Sequence, residues 1–333
     1  MRFTVMNING NQNWVEFFQK KALQQTSTIL IGISEDASFY QRLRPIMLKF
    51  LINSNLSFVL VGKNPMKFHS SSNFSSFQNR VETITDPKPE QRMASLIFNQ
   101  SNLRTDHYQI ITKPIVVIRG ALSSSKFLAA IKNEIRKVPP YQKIDGIPLQ
   151  TISRLALLET AENFQFFFGG VGIDEVNSFE SKRKMIGLSR LFFERLKHPL
   201  HIGLLSGGRL SDEGRDAIVD QSLSEAKRLE KVFTEMWKKN PPDIPCSISH
   251  YEILIEQAIS HNVDLLIAPN GISGNLIYRT LVHLGKGRSF GAVYLNLFLH
   301  FNRIVIDCSR VAPSFEIEGA IGLAAGLVPF MLL

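Results

Sequence analysis

The chain has 333 residues, 44% of them hydrophobic and 20% charged, with two cysteines and a net charge of +9. That length exceeds one small domain and implies two lobes, and the composition excludes a disordered or fibrous chain. Cys246 and Cys308 offer neither a disulfide framework nor metal-ligand spacing, and the basic balance favours an anionic partner.

In chain order, the opening MRFTVMNINGNQNW lacks the apolar stretch of a signal peptide, so a cytoplasmic protein is expected. TILIGIS (28–34) reads as a buried strand, and SFYQRLRPIMLKFLI (38–52) has helical spacing that Pro45 should kink or shorten. SFVLVGKN (57–64) is a second strand; the polar, irregular stretch at 69–91 reads as a surface excursion. KPIVVIRG (113–120) is a third strand, and SSKFLAAIKNEIRK (124–137) is a helix whose serines can cap it. VPPYQKIDGIP (138–148), with three prolines and a glycine, reads as the crossing between lobes.

Beyond it, SRLALLET, FQFFFGGVGID and PLHIGLLSGGRL are strand patterns. SKRKMIGLSRLFFERLK (181–197) is a basic helix, read as a solvated face rather than a nucleic-acid contact. The longest helical stretch (212–239) ends before Asn240-Pro241-Pro242. HYEILIEQAIS reads as a helix, VDLLIAP as a strand, NGISGN as a turn and LIYRTLVHLG as a helix. The apolar tail GAIGLAAGLVPFMLL falls short of the roughly 18 residues of a membrane span and reads as a buried terminal helix. Apolar strands alternating with helices predict a two-lobed, doubly wound, three-layer α/β/α fold.

Several chemistries are excluded by their missing signatures. ILIGISED has one glycine and GGVGID (169–174) lacks the later glycine of a dinucleotide fingerprint. No GxxxxGK[ST] or HExxH is present, and the histidines are dispersed, so no metal is expected.

Doubly wound folds bind ligands beyond the carboxyl ends of their strands, where four turns stand out. They supply Arg119, Gly120, Ser123, Ser124 and Ser125; Ser206, Gly207, Gly208 and Arg209; Asn270, Gly271, Gly274 and Asn275; and Asp307, Ser309, Arg310 and Glu316. Glycines allow close backbone approach, helix amides bind anions, serines donate and arginines clamp phosphate. A lone glycine at such a turn is more often just a tight turn. Four together favour a small phosphate-bearing ligand, with no nucleic acid and no membrane as partner.

APNGISGN (268–275) and IVIDCSR (304–310) resemble the core of the phosphate acetyl/butyryl transferases, in which Gly-Asn opens a helix and a strand ends in Asp-Leu-Ser-Arg-Gly. Gly274-Asn275, Asp307, Ser309 and Arg310 match, while Cys308 replaces Leu, Val311 replaces Gly, and Glu316 stands where the family has Asp. IRGALSSSK is similar to the family's Gly-Ala-x-x-Thr-Thr turn, with Ser124 and Ser125 for the threonines. More specifically, KPIVVIRGALSSSKFLAAI, FFFGGVGIDE, LLSGGRLSDEGRD and APNGISGN resemble the MtxX family of archaeal methyltransferase-related proteins, also described as methanogenesis markers.

The resemblance implies an isocitrate/isopropylmalate dehydrogenase-like fold. Residues 1–147 with 300–333 would form one lobe and 148–299 the other, around an active cleft, in a homodimer. It implies acyl or related one-carbon transfer to or from a carrier such as coenzyme A, with no tightly bound cofactor. Glu316 would be the base, Ser309 would hold the thiol, and Arg310 would stabilise developing charge. A competing structural reading pairs Arg310 with Glu316 or Asp307 as a staple. Cys308, alternating away from Ser309, reads as a packed residue. The alternative functions are a non-catalytic subunit or regulator of a corrinoid or pterin methyltransferase system, with such subunits as partners, or a methyltransferase itself.

Overall fold

The computed structural model describes residues 13–65, 72–99, 105, 114–137, 143–144, 147–148 and 152–331. In its first lobe β1 (Thr28–Gly32), β2 (Ser57–Gly62), β3 (Val81–Thr85) and β4 (Ile115–Ile118) run parallel. Helix α1 (Trp14–Leu23) precedes them, α2 (Ala37–Asn53) and α3 (Pro89–Phe98) connect them, and α4 (Ser124–Arg136) follows β4. Every residue of β1 and β4 is buried, because a parallel strand covered on both faces has no wet side. The period-2 alternation of side chains divides them between two cores: Ile29, Ile31, Phe58 and Leu60 face one, and Leu30, Val59, Val61 and Val117 the other.

The second half begins with the antiparallel pair β7 (Arg154–Glu159) and β8 (Gln165–Gly169). There follow α5 (Phe179–Leu196), β9 (Leu200–Leu204), α6 (Ala217–Lys239), β10 (Cys246–His250), α7 (Ile255–Ser260), β11 (Leu265–Ile267) and α8 (Gly271–His283). Strand β12 (Arg288–Tyr294), α9 (Leu295–Phe301), β13 (Val305–Asp307) and α10 (Ser314–Gly326) complete the chain. Eleven strands form one sheet in the order β10-β9-β11-β8-β7-β12-β13-β4-β1-β2-β3. Strand β12 joins the halves, antiparallel both to β7 and to β13. The sheet is therefore wound parallel in each lobe and antiparallel at its centre. A register irregularity in β12 falls between Ser289 and Ala292, where Gly291 takes a φ of +95° that side chains resist.

Several local expectations are corrected. Helix α2 runs unbroken from Ala37 to Asn53 with Pro45 inside it. The 69–91 stretch is no surface excursion where it is described: β3 pairs with β2 and buries Val81, Glu82, Thr83 and Ile84, and α3 starts at Pro89. HYEILIEQAIS holds the end of β10, a turn and only the short α7, and NGISGN is the capped first turn of α8. Of the expected crossing at 138–148, only β5 (Lys143–Ile144) and β6 (Ile147–Pro148) lie within the described residues, as an antiparallel pair. The basic helix at 181–197 is α5, and it spends several cations internally: Lys182 pairs with Glu225, and Arg195 donates to the carbonyls of Phe298 and Leu299.

Helix α10 is apolar almost all round and buried from Glu316 to Gly326 apart from Glu318, as expected for the terminal helix. On its first turn it carries a carboxylate, Glu316, into the interior. Both cysteines are free. No helix among the described residues is long and apolar enough to cross a membrane.

Candidate active site

The centre of the sheet holds a buried charge network. Asp307, the last residue of β13, accepts from Arg119 Nε with one oxygen and from Arg154 Nη1 at 2.8 Å with the other. Arg154 Nε donates to Glu175 at 2.7 Å, and the Tyr294 hydroxyl lies 3.4 Å from Asp307. Two cations meet two anions, and all four side chains are buried. Burial works against the Asp307 charge, but the Arg119 and Arg154 guanidiniums outweigh it and hold the carboxyl below the usual range. Burial raises Glu175, with Arg154 opposing it in part. The network ties β4, β7 and β13 together with the loop after β8, and so joins the two lobes.

The same network shapes the turn after β13. Arg119 Nη2 donates to the Cys308 carbonyl, and Arg42 Nε donates to the Ala312 carbonyl at 2.8 Å. Held this way, the turn points the Ser309 N–H at Glu316 Oε1, 2.8 Å away, while the Ser309 hydroxyl accepts from the Val311 N–H at 3.3 Å. Glu316 is only 2% exposed, and burial pushes its pKa up to about 7 in spite of the Ser309 amide, which favours the charged form. Burial also lifts the Cys308 thiol to about 12, which leaves it protonated and packed.

Two cavities adjoin this turn. An inner pocket of about 260 Å³ is lined by Glu316, Ser309, Ser124 and Asn275, with Tyr278 and Arg279 of α8. A larger crevice of about 760 Å³ opens at the carboxyl ends of β1, β2 and β4, and there Arg310, Lys63, Lys126 and Ser123 meet. The cavities adjoin at Ser123–Ser124 and Ser309–Arg310, where neighbouring residues line different cavities.

The residues singled out from the sequence fall into three groups. Ser124, Asn275, Ser309, Glu316, Asp307 and Arg119 come together at the inner pocket, and Ser123 and Arg310 lie on the crevice. Arg119 and Asp307 spend their charge on one another, and Arg119 Nη1 also donates to the carbonyls of Gly120 and Leu122. Arg310 pairs with neither Glu316 nor Asp307; it is exposed, and no side-chain partner for it occurs among the described residues.

The second group is scaffolding. Gly120, at φ +61°, lets β4 approach β1 so closely that a Cβ there would sit 2.1 Å from the Gly32 carbonyl. Asn270 caps α8 through the Ser273 N–H, and the Gly271 N–H donates to Asn177 Oδ1 at 2.8 Å. Gly274 packs on the Gly170 carbonyl, while Asn275 Nδ2 donates to the Val171 carbonyl at 2.9 Å and so fixes α8 against the pocket.

The third group lines neither cavity. Ser125 faces Ser123, Oγ to Oγ, at 3.3 Å. Ser206 lies 2.8 Å from His250 Nε2 and donates to the Gly208 carbonyl; the Gly207 N–H donates to Ser222, and Arg209 is exposed beside them. Sequence reasoning missed Arg154, Glu175, Lys63, Arg279 and His283. For the last two a signal existed, since they follow Asn275 at four-residue steps along one helix face. No group of three or more His, Cys, Asp or Glu side chains that could hold a metal occurs among the described residues.

The two lobes, the cleft and the strand-end turn define the chain as a protein of the phosphotransacylase-like α/β fold. A branched-chain phosphotransacylase from Enterococcus faecalis superimposes with a TM-score of 0.61, at 14% identity over 91% of this chain and 99% of that one. A phosphotransacetylase from Streptococcus pyogenes gives 0.59, at 12% identity over 94% and 97%. No protein-family profile matches the chain. Among curated sequences, a Methanosarcina mazei protein is 34% identical over 247 residues, 74% of each chain. A Methanosarcina acetivorans protein is 36% identical over 225 residues, 67% of this chain and 75% of its own. Both are named as subunit X of an mtx methyltransferase, an activity that their names leave unproven. The chain belongs to this MtxX family.

Proposed function

We propose that the chain is a group transferase that moves an acyl or related one-carbon group to or from the thiol of a phosphate-bearing carrier such as coenzyme A, with Glu316 as the general base. The observation that carries this is Glu316: a buried carboxyl with a pKa of about 7, oriented by the Ser309 amide, on the wall of a pocket. An ordinary thiol ionises near 8.5, so a base at 7 faces an uphill transfer of roughly 1.5 units instead of about 4 for an unperturbed glutamate. In the forward step Glu316 takes the thiol proton, the sulfur forms a bond to the acyl carbon, and phosphate departs with the electrons of the C–O bond. Ser309 keeps its hydroxyl hydrogen for the sulfur. The crevice, with Lys63, Lys126 and Arg310 on its wall, suits the phosphates of the carrier, whose arm would pass the Ser309–Arg310 turn to reach Glu316.

A second reading keeps the cleft for binding without turnover, as one subunit of a methyltransferase system, and it is favoured by the subunit designation of the relatives. One experiment separates the two. Coenzyme A binding is measured by calorimetry, and exchange between coenzyme A and acetyl phosphate is assayed, for the wild type and Glu316→Gln. Exchange that disappears in the variant while binding persists supports catalysis. Binding without exchange in the wild type supports the subunit reading.

A further inference from the structure

Three arginines line the inner pocket, and two of them are already neutralised: Arg119 by Asp307, and Arg154 by Asp307 and Glu175. The third, Arg279, is exposed on α8 and has no side-chain partner among the described residues. His283 follows one turn later on the same helix face and lines the same pocket. Asn275, one turn earlier, anchors this face through the Val171 carbonyl, so the stripe is fixed in place. Tyr278 beside it is mostly buried; burial, with the Glu316 charge second, pushes its hydroxyl up to about 12, so it stays a neutral donor. The crevice has its own unneutralised guanidinium in Arg310. Each compartment therefore carries one arginine whose charge the fold leaves unspent.

We propose that Arg279, assisted by His283, is the anion subsite of the inner pocket and takes the phosphoryl end of the small co-substrate. A planar guanidinium matches two phosphate oxygens, and the histidine one turn away adds a further ring N–H donor. At about 260 Å³ the pocket holds roughly eight water volumes, room for a phosphate with a short acyl group and not for a nucleotide. The naming of the co-substrate rests on the group-transfer reading above; the anion site itself does not.

The test uses the full chain and inorganic phosphate as probe, by calorimetry at pH 7, with coenzyme A titrated separately. Arg279→Ala is expected to weaken phosphate binding about tenfold or more, and His283→Asn by a smaller factor. Arg279→Lys should recover part of the loss, which shows that charge rather than folding is at stake. Arg209→Ala, at an exposed arginine outside both cavities, should leave phosphate binding unchanged. Arg279→Ala should also leave coenzyme A affinity within about twofold. Phosphate affinity unchanged in Arg279→Ala, or no phosphate binding by the wild type, overturns the subsite. Phosphate binding that depends on Arg279 while coenzyme A fails to bind upholds the subsite and removes the carrier instead.

Discussion

Ser309 and Arg310 are adjacent in sequence and face different cavities: Ser309 hands its amide to Glu316 in the inner pocket, while Arg310 lies on the crevice of the first lobe. On the group-transfer reading proposed above, the turn divides a place for chemistry from a place for binding. The two sides should respond separately to mutation.

On the chemical side, Glu316 sets a pH dependence. Its folded pKa of about 7 lies above the unperturbed value of 4.5. As a base it must be ionised, so kcat/KM is expected to rise with pH through about 7, and Glu316→Gln should abolish the rise along with most of the activity. Stability moves the other way. Between about 4.5 and 7 the folded chain binds more protons at this site than the unfolded chain, so stability falls as pH rises across that window. The shift corresponds to roughly 3 kcal/mol, and Glu316→Gln removes it. Urea unfolding at pH 5 and pH 8 should show the variant gaining on the wild type at the higher pH; an unchanged difference between them would sink the assignment.

On the binding side, Arg310→Ala should weaken coenzyme A about tenfold or more through the loss of a charge-assisted contact to phosphate. The pH profile of whatever turnover remains should keep its inflection near 7, because Arg310 has no contact with Glu316. Calorimetry and initial rates across pH check both halves. A displaced inflection would mean that the compartments are not separate.

Asp307 is the acceptor between two buried arginines, and its removal leaves one of them uncompensated. Asp307→Asn is expected to cost about 3–5 kcal/mol in urea unfolding at pH 7. The sign with pH is opposite to that of Glu316. Because the folded pKa is held down, this stabilisation is fully present above the unfolded value near 3.9 and is lost as pH falls through the folded one. Wild type and variant should therefore converge in strong acid. A cost that stays constant down to the lowest folded pH would show that the charge of Asp307 is not what holds the network.

Much of this was legible in the chain, and the exceptions have physical causes. β1, β2 and β4 are near-continuous aliphatic runs because both faces are covered, so their apolarity announces them. β10, with CSISH at the edge of the sheet, buries only Ile248 fully and gives no such signal; β3 hides in polar surroundings, and RSFGAVY runs straight into α9 without a breaker. At the site, the nearness of Ser309 to Glu316 could be read, whereas Arg310, expected with them, lies on the other cavity; the length and apolarity of α10 could have foretold the burial of its first-turn carboxylate. The second arginine partner of Asp307 could not be read. Arg154 is 153 residues away, and only the central antiparallel pairing of β7, β12 and β13 brings it there.

The thiols test how the interior treats charge. Burial lifts Cys308 to about 12 and Cys246 to about 11, against roughly 8.5 for a free cysteine. At pH 8 that leaves about one thiolate in ten thousand at Cys308 and one in a thousand at Cys246, where a free thiol is about one quarter ionised. Alkylation of the native protein by iodoacetamide is expected to be more than about a hundredfold slower than that of glutathione, with both thiols reacting once urea unfolds the chain. Mass spectrometry of timed samples reads it directly. Fast labelling at Cys308 would put a reactive thiolate beside Glu316 and make that sulfur, rather than the thiol of a carrier, the nucleophile of the pocket.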